Sequence, residues 1–312
     1  MSAALSLPGA RGPQLVRTNA RCHADRAANR AGVGRVPEDG AAGAPSTTAA
    51  DHGQSTGPPA PNTPRGPDPE KPEAETHMRT RGASASERTD EQKPAPEAAV
   101  LLLHGGRADG LEPPPPLNLP GRRMIPFGRA ITRAAGSHPL ALRTAVYRHR
   151  GWNGTRADPV HDALRALDSL AEDLGPVPVV LVGHSMGGRA ALRVAGHPQV
   201  TGVVGLAPWC PADEPVDHLA GRDLVLLHGD RDRTTSPRGT RELAARARRA
   251  GARTCVVTVE GGDHAMLRRA GEWHTATAAV TTGLLGFSPL PTAVSAALAP
   301  GGDTVLRIED LR

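Results

Sequence analysis

Aromatic side chains are almost missing from this chain. Two Phe, one Tyr and three Trp are all that 312 residues contain, and none precedes Phe127. A core must therefore be built from Ala, Val and Leu, and the early part of the chain has little to build one with. Cysteine is equally sparse: Cys22, Cys210 and Cys255 are too few and too scattered for a disulfide framework or a zinc site. No apolar run reaches membrane-spanning length, so no membrane association is expected. The N-terminus lacks the continuous apolar stretch of a signal peptide; its Arg-rich, acid-poor opening has only a slight likeness to a transit peptide, and the expected location is the cytoplasm. A net charge of +5 and a pI near 9.8 raise the question of nucleic acid. The excess base is spread over positions such as Arg241, Arg246, Arg248 and Arg249 without interleaved aromatics. That pattern fits a solvated helix face and no nucleic-acid partner.

What is present divides the chain into three parts. Residues 1–97 are Ala, Gly, Pro, Ser, Thr and mixed charge, as in Gly57-Pro58-Pro59-Ala60-Pro61. Such a stretch cannot bury enough apolar surface to offset its ordering entropy, so disorder is expected. Met78 offers an alternative start within it. Residues 98–288 alternate short apolar runs with amphipathic ones. Strands are predicted at Ala98–Leu103, Leu140–Tyr147, Pro176–Val182, Val200–Pro208, Asp223–Leu227 and Thr254–Val259. Helices are predicted from Met124 to about Ala134, and at Pro159–Leu174, Gly239–Ala250 and Trp273–Leu285, with another opening after Gly188. Residues 289–312 read as a tail in which Thr304–Ile308 is a candidate extra strand. This alternation predicts an α/β domain: a mostly parallel sheet of about six strands with helices on both faces. In such sheets chemistry gathers at the carboxyl ends of the strands.

The strand ends carry unusual residues. After the apolar run Val177–Val182 comes Gly183-His184-Ser185-Met186-Gly187-Gly188, and a helical pattern begins at once. A strand, a G-x-S-x-G and a helix with almost no loop make a nucleophile elbow, with small residues two positions either side of a strained serine. The first strand ends in His104-Gly105-Gly106-Arg107, a small turn whose amides can approach a ligand. The strand through Leu227 ends in His228-Gly229-Asp230-Arg231-Asp232, and the last ends in Gly261-Gly262-Asp263-His264. Serine, acid and histidine thus occur in that order. Acyl transfer needs this set: a base to take the serine proton, an acid to hold the base's tautomer, and two amides for the oxyanion. The Gly-rich loops lack the Lys-Ser/Thr pair of a phosphate loop, and no carboxylate cluster suggests a metal, so no cofactor is expected.

Taken together, these motifs over about Val100–Leu285 resemble the α/β-hydrolase superfamily. The resemblance implies Ser185 as nucleophile, Asp232 as acid and His264 as base, with the oxyanion bound by the amides of Met186 and of Gly106 or Arg107. Asp230 is the rival acid, and the H-G-x-x-D spacing favours Asp232. His104, His184 and His228 are expected to be structural, His274 to lie on the surface, and Asp263 to be solvated. GHSMGG, Ala207-Pro208-Trp209 and HGDRD are similar to the dienelactone-hydrolase and small esterase branch. Trp209 is placed at the substrate rim with Trp152 and Arg150, where Arg150 offers contact to an anionic group. Two departures stand out: the antiparallel strands that usually precede the first parallel strand are missing, and Cys210–Arg222 is too short for a cap domain. The implied activity is hydrolysis of a small carboxylic ester or thioester. Acyl transfer, lactone or amide hydrolysis, and ligand binding without catalysis are the alternatives.

Overall fold

The computed structural model describes residues 94–302 and 304–312. Most of the stretch expected to be disordered, including Cys22 and Met78, lies outside the described residues. Order begins with β1 (Ala98–Leu103), followed by α1 (Leu119–Ala135), β2 (Leu140–Thr144), α2 (Asp158–Leu174), β3 (Val179–His184) and α3 (Met186–Val194). Then come β4 (Val200–Leu206), β5 (Asp223–Gly229), α4 (Pro237–Arg249), β6 (Arg253–Val259), α5 (Ala270–Leu284), α6 (Thr292–Leu298) and β7 (Val305–Arg307). The strands form one sheet in the order β2-β1-β3-β4-β5-β6-β7, and every pairing is parallel.

Burial on both faces explains why the central strands are nearly all Val and Leu. Side chains alternate across a strand. Val179 and Leu181 of β3 therefore join α2, α3 and α4 through Leu167, Ala190 and Leu243. Val180 and Val182 turn the other way, to Phe127 of α1, Trp273 of α5 and Val294 of α6. The few large aromatics are spent here: Trp152, Trp273 and Phe127 are all fully buried.

Several element boundaries differ from the sequence reading. Helix α1 starts five residues before Met124, because Pro120 sits in its first turn, where a missing N–H costs nothing. The candidate extra strand at Thr304–Ile308 is present as Val305–Arg307, the seventh strand of the sheet, paired with β6 from Val256 to Thr258. The segment expected as a tail also carries α6, and its Val294, Ala297, Leu298 and Ile308 are buried in the same core. Among the described residues no antiparallel strand flanks β2, and residues 207–222 between β4 and β5 form only a short 3-10 turn at Asp217–Leu219. No helix among the described residues is long and apolar enough to cross a membrane.

Candidate active site

Strands β3, β5 and β6 all run in the same direction, so their carboxyl ends bring three distant segments together. Ser185 lies between β3 and α3 with φ 54° and ψ −117°, a conformation that L-residues rarely adopt. Two glycines make the turn possible. A Cβ on Gly183 would meet Gly187 O at 2.4 Å, and one on Gly187 would meet Leu103 O at 2.3 Å. The turn is pinned by hydrogen bonds from Ser185 N to Leu206 O at 3.0 Å and from Trp209 N to Ser185 O at 3.1 Å.

Ser185 Oγ is 3.0 Å from His264 Nε2. On the far side of the ring, His264 Nδ1 is 2.8 Å from Asp232 Oδ2. A proton on Nδ1 therefore donates to Asp232 and leaves the Nε2 lone pair facing the serine. The Asp232 side chain is fully buried and heavily solvated by protein. Its Oδ1 accepts from Thr234 N at 2.7 Å and Thr235 N at 2.9 Å. Its Oδ2 also receives the Thr235 hydroxyl at 2.8 Å and His228 Nε2 at 3.1 Å. Burial by itself would push this carboxyl up, but the donors from His228, His264 and the Thr235 and Thr234 amides outweigh it and hold the group well below the usual carboxylate range. The acid is thus ionised and immobile.

Asp230 points elsewhere: its carboxylate accepts Gly261 N at 2.6 Å and braces the turn. Asp263 is not simply solvated, since its Oδ1 accepts the amides of Leu267 at 3.0 Å and Arg268 at 3.3 Å and shapes the loop behind His264. His184 is buried 4.9 Å from the His264 ring, with its Nε2 2.9 Å from the His264 carbonyl. Burial pushes its imidazole down to about 3, so it is neutral and donates to that carbonyl. His104 is held by Gly105 O and Asn118, and His228 by Thr240 and Asp232. His274 is half-buried against Phe127 rather than on the surface, because α5 packs on α1.

Two proposed roles need correction. Arg107 N already donates to Arg150 O at 3.0 Å, in a bridge between Arg107 and Gly151. That amide is committed to this bridge and is not free for a ligand. Met186 opens α3, where no preceding turn supplies a carbonyl for its amide. Trp152, expected at the rim, is 2 % exposed; the Arg189 guanidinium carbon sits 3.9 Å from its ring centroid. Trp209 is half-buried, 4.5 Å from the same guanidinium, and packs edge to face on Trp152. Arg150 has a resident partner, Glu112, at 3.1 Å. The sequence reading missed Thr235, a hydroxyl three residues after the acid, and Arg189 with Glu214. Nothing local distinguishes either from a solvated polar residue. Among the described residues no group of three or more His, Cys, Asp or Glu is placed to hold a metal.

A parallel sheet with helices on both faces, an elbow after a central strand, and an acid and a histidine after two later strands define an α/β-hydrolase fold. Residues 149–284 match a family model described as an alpha/beta hydrolase domain. A comparison with curated proteins finds no significant match. Among solved structures, Thermogutta terrifontis esterase 2 phosphorylated by paraoxon is 19% identical with a TM-score of 0.48, over 64% of this chain and 87% of that one. An esterase domain from a Rhodothermus marinus protein is 20% identical with a TM-score of 0.43, over 59% and 86%. Est1E from Butyrivibrio proteoclasticus is 13% identical with a TM-score of 0.45, over 63% and 91%.

Proposed function

We propose that the protein is a serine hydrolase that cleaves a small carboxylic ester or thioester through an acyl-enzyme. The reading rests on one observation: Ser185 Oγ, His264 and the ionised Asp232 stand in a continuous hydrogen-bonded line, 3.0 and 2.8 Å per link, at a strained elbow. The same elbow conformation puts the Met186 amide beside the serine.

In this reaction Ser185 Oγ attacks the carbonyl carbon while His264 Nε2 takes its proton. Asp232 stabilises the imidazolium and keeps its orientation. The carbonyl π electrons move to oxygen, and the oxyanion accepts hydrogen bonds from the amides of Met186 and Gly106. Collapse expels the alcohol or thiol, which takes the proton from His264. Water then enters, His264 removes its proton, and a second tetrahedral species releases the acid and regenerates Ser185. Among the described residues the short connection between β4 and β5 forms no cap over the site, which favours short or exposed acyl groups and a small-molecule substrate.

The test is fluorophosphonate labelling of the full chain and of Ser185→Ala, alongside turnover of p-nitrophenyl acetate and butyrate. Labelling and turnover by the parent, both lost in Ser185→Ala with an unchanged melting curve, are expected. A folded parent that neither labels nor turns over would overturn the reading.

A further inference from the structure

The two proposed oxyanion donors belong to different segments. Gly106 is on the loop after β1, and Met186 is at the start of α3. Their separation must be held to a few tenths of an ångström for both amides to meet one oxygen. Strands β1 and β3 pair directly as far as Leu103 and Gly183, so it is beyond the strand ends that side chains help hold the loop and the helix start in register.

One cluster spans the gap. The loop after β1 is stitched to residues 150–152 by Arg107 N to Arg150 O at 3.0 Å and Trp152 N to Arg107 O at 2.9 Å. From there the Trp152 ring reaches Arg189 at 3.9 Å, and Arg189 stands one helical turn after Ser185 on α3. Trp209 is 4.5 Å from the same guanidinium and meets the Trp152 ring edge to face, centroids 6.0 Å apart, and its amide holds the Ser185 carbonyl. Arg189 is itself fixed by Nε to Glu214 Oε2 at 2.6 Å, and Glu214 is 1 % exposed with Arg193 as a second partner. A guanidinium against indole rings is attracted to their π electrons, more strongly where water is excluded. This charge has no contact with the triad and is not needed for solubility. Its placement costs desolvation that a leucine would not.

We propose that Arg189 is a positioning residue which, packed in the corner formed by the edge-to-face rings of Trp152 and Trp209 and anchored on Glu214, holds the oxyanion loop in register with the nucleophile elbow. The inference rests on the serine-hydrolase reading and deepens it. Removing the guanidinium takes one packing partner from Trp152, and so loosens residues 150–152, which are bridged to the Gly106 loop at Arg107. Glu214 keeps Arg193, so no buried carboxylate is left alone.

The experiment compares the full-length parent with Arg189→Met, Arg189→Lys and Trp152→Leu. Steady-state kinetics on p-nitrophenyl acetate are read beside affinity for a small alkyl boronic acid, a tetrahedral mimic, and for acetate as a ground-state ligand. Arg189→Met is expected to lower kcat by about tenfold or more, short of the 10²–10³ that deleting an oxyanion donor costs. KM and acetate affinity should stay within about twofold, and boronate affinity should fall in step with kcat. Trp152→Leu should give the same pattern, and the double variant should lose little more than either single, as expected for residues acting as one unit. Arg189→Lys, a charge without the flat guanidinium, should fall between. An unchanged kcat in folded Arg189→Met, or a kcat loss matched by equal losses of boronate and acetate binding, overturns the proposal. A parent that fails to label with fluorophosphonate would instead overturn the hydrolase reading beneath it.

Discussion

Replacing Asp232 with Asn changes one atom and tests the site at its most connected point. In the parent, Oδ1 serves two backbone amides at 2.7 and 2.9 Å, while Oδ2 serves two imidazoles and a hydroxyl. The Asn oxygen must turn to the two amides, because an amide hydrogen has no alternative tautomer. The Asn NH2 is then left facing His264 Nδ1 at about the 2.8 Å now spanned to Oδ2. His264 has to present a lone pair there and carry its proton on Nε2, where it points at Ser185 Oγ and cannot act as a base. His228 makes the same exchange without penalty, because its Nδ1 faces the Thr240 hydroxyl at 2.8 Å, which can accept as well as donate. No buried polar group is orphaned, so the fold should survive with a loss of about 1–3 kcal/mol from the weakened charge-assisted bonds. Activity should not survive: a wrong-tautomer histidine in such a triad costs about 10⁴ in kcat, or roughly 5.4 kcal/mol of barrier. The assay is kcat/KM on p-nitrophenyl acetate with the second-order rate of fluorophosphonate labelling and a thermal melt. Asp230→Asn, which alters only the contact to Gly261 N, should stay within about tenfold of the parent. Asp232→Asn within tenfold of the parent, or Asp230→Asn falling further than Asp232→Asn, would refute the reasoning.

Two further perturbations probe the frame around the triad. Gly187→Ala puts a Cβ 2.3 Å from Leu103 O and 2.5 Å from His104 O, both backbone atoms. Overpacking of about 1–3 kcal/mol and near-complete loss of fluorophosphonate labelling are expected, whereas Gly271→Ala, with nothing within 4 Å, should leave both unchanged. His184 supplies a pH dependence. Burial, with the nearby His264 adding to it, pushes its imidazole down to about 3, while the unfolded histidine titrates near 6.5. Between those values the unfolded chain binds the extra proton, so the stability contributed above about pH 6.5 falls as pH drops, by up to about 1.4 kcal/mol per unit. Urea midpoints measured from pH 6.5 to 4 should decline less steeply in His184→Gln than in the parent; parallel curves would remove His184 from the titration.

Much of this architecture was legible along the chain because its causes are local. Strands buried on both faces must be apolar throughout, so runs such as Val179–Val182 and Leu224–Leu227 stand out against amphipathic helices. An elbow needs glycines at Gly183 and Gly187 whatever surrounds it, and the order Ser185, Asp232, His264 follows from which strand ends carry polar residues. The seventh strand, three half-exposed residues at a sheet edge, leaves only a faint pattern, enough to make Thr304–Ile308 a candidate and no more.

Other features depend on register between segments far apart in the chain. That Asp232 rather than Asp230 reaches His264 is decided by the turn after β5, where Asp230 is drawn off by Gly261 N. Arg107 loses its amide to a carbonyl 43 residues away, which no inspection of His104-Gly105-Gly106-Arg107 reveals. Trp152 is buried and not at a rim because Arg189 and Glu214 approach from another helix and another loop to meet it. A side chain's partners are set by the positions of neighbouring backbones. Those positions exist only once seven strands have taken one register, which is why residue types and their order could be read from the chain and their pairing could not.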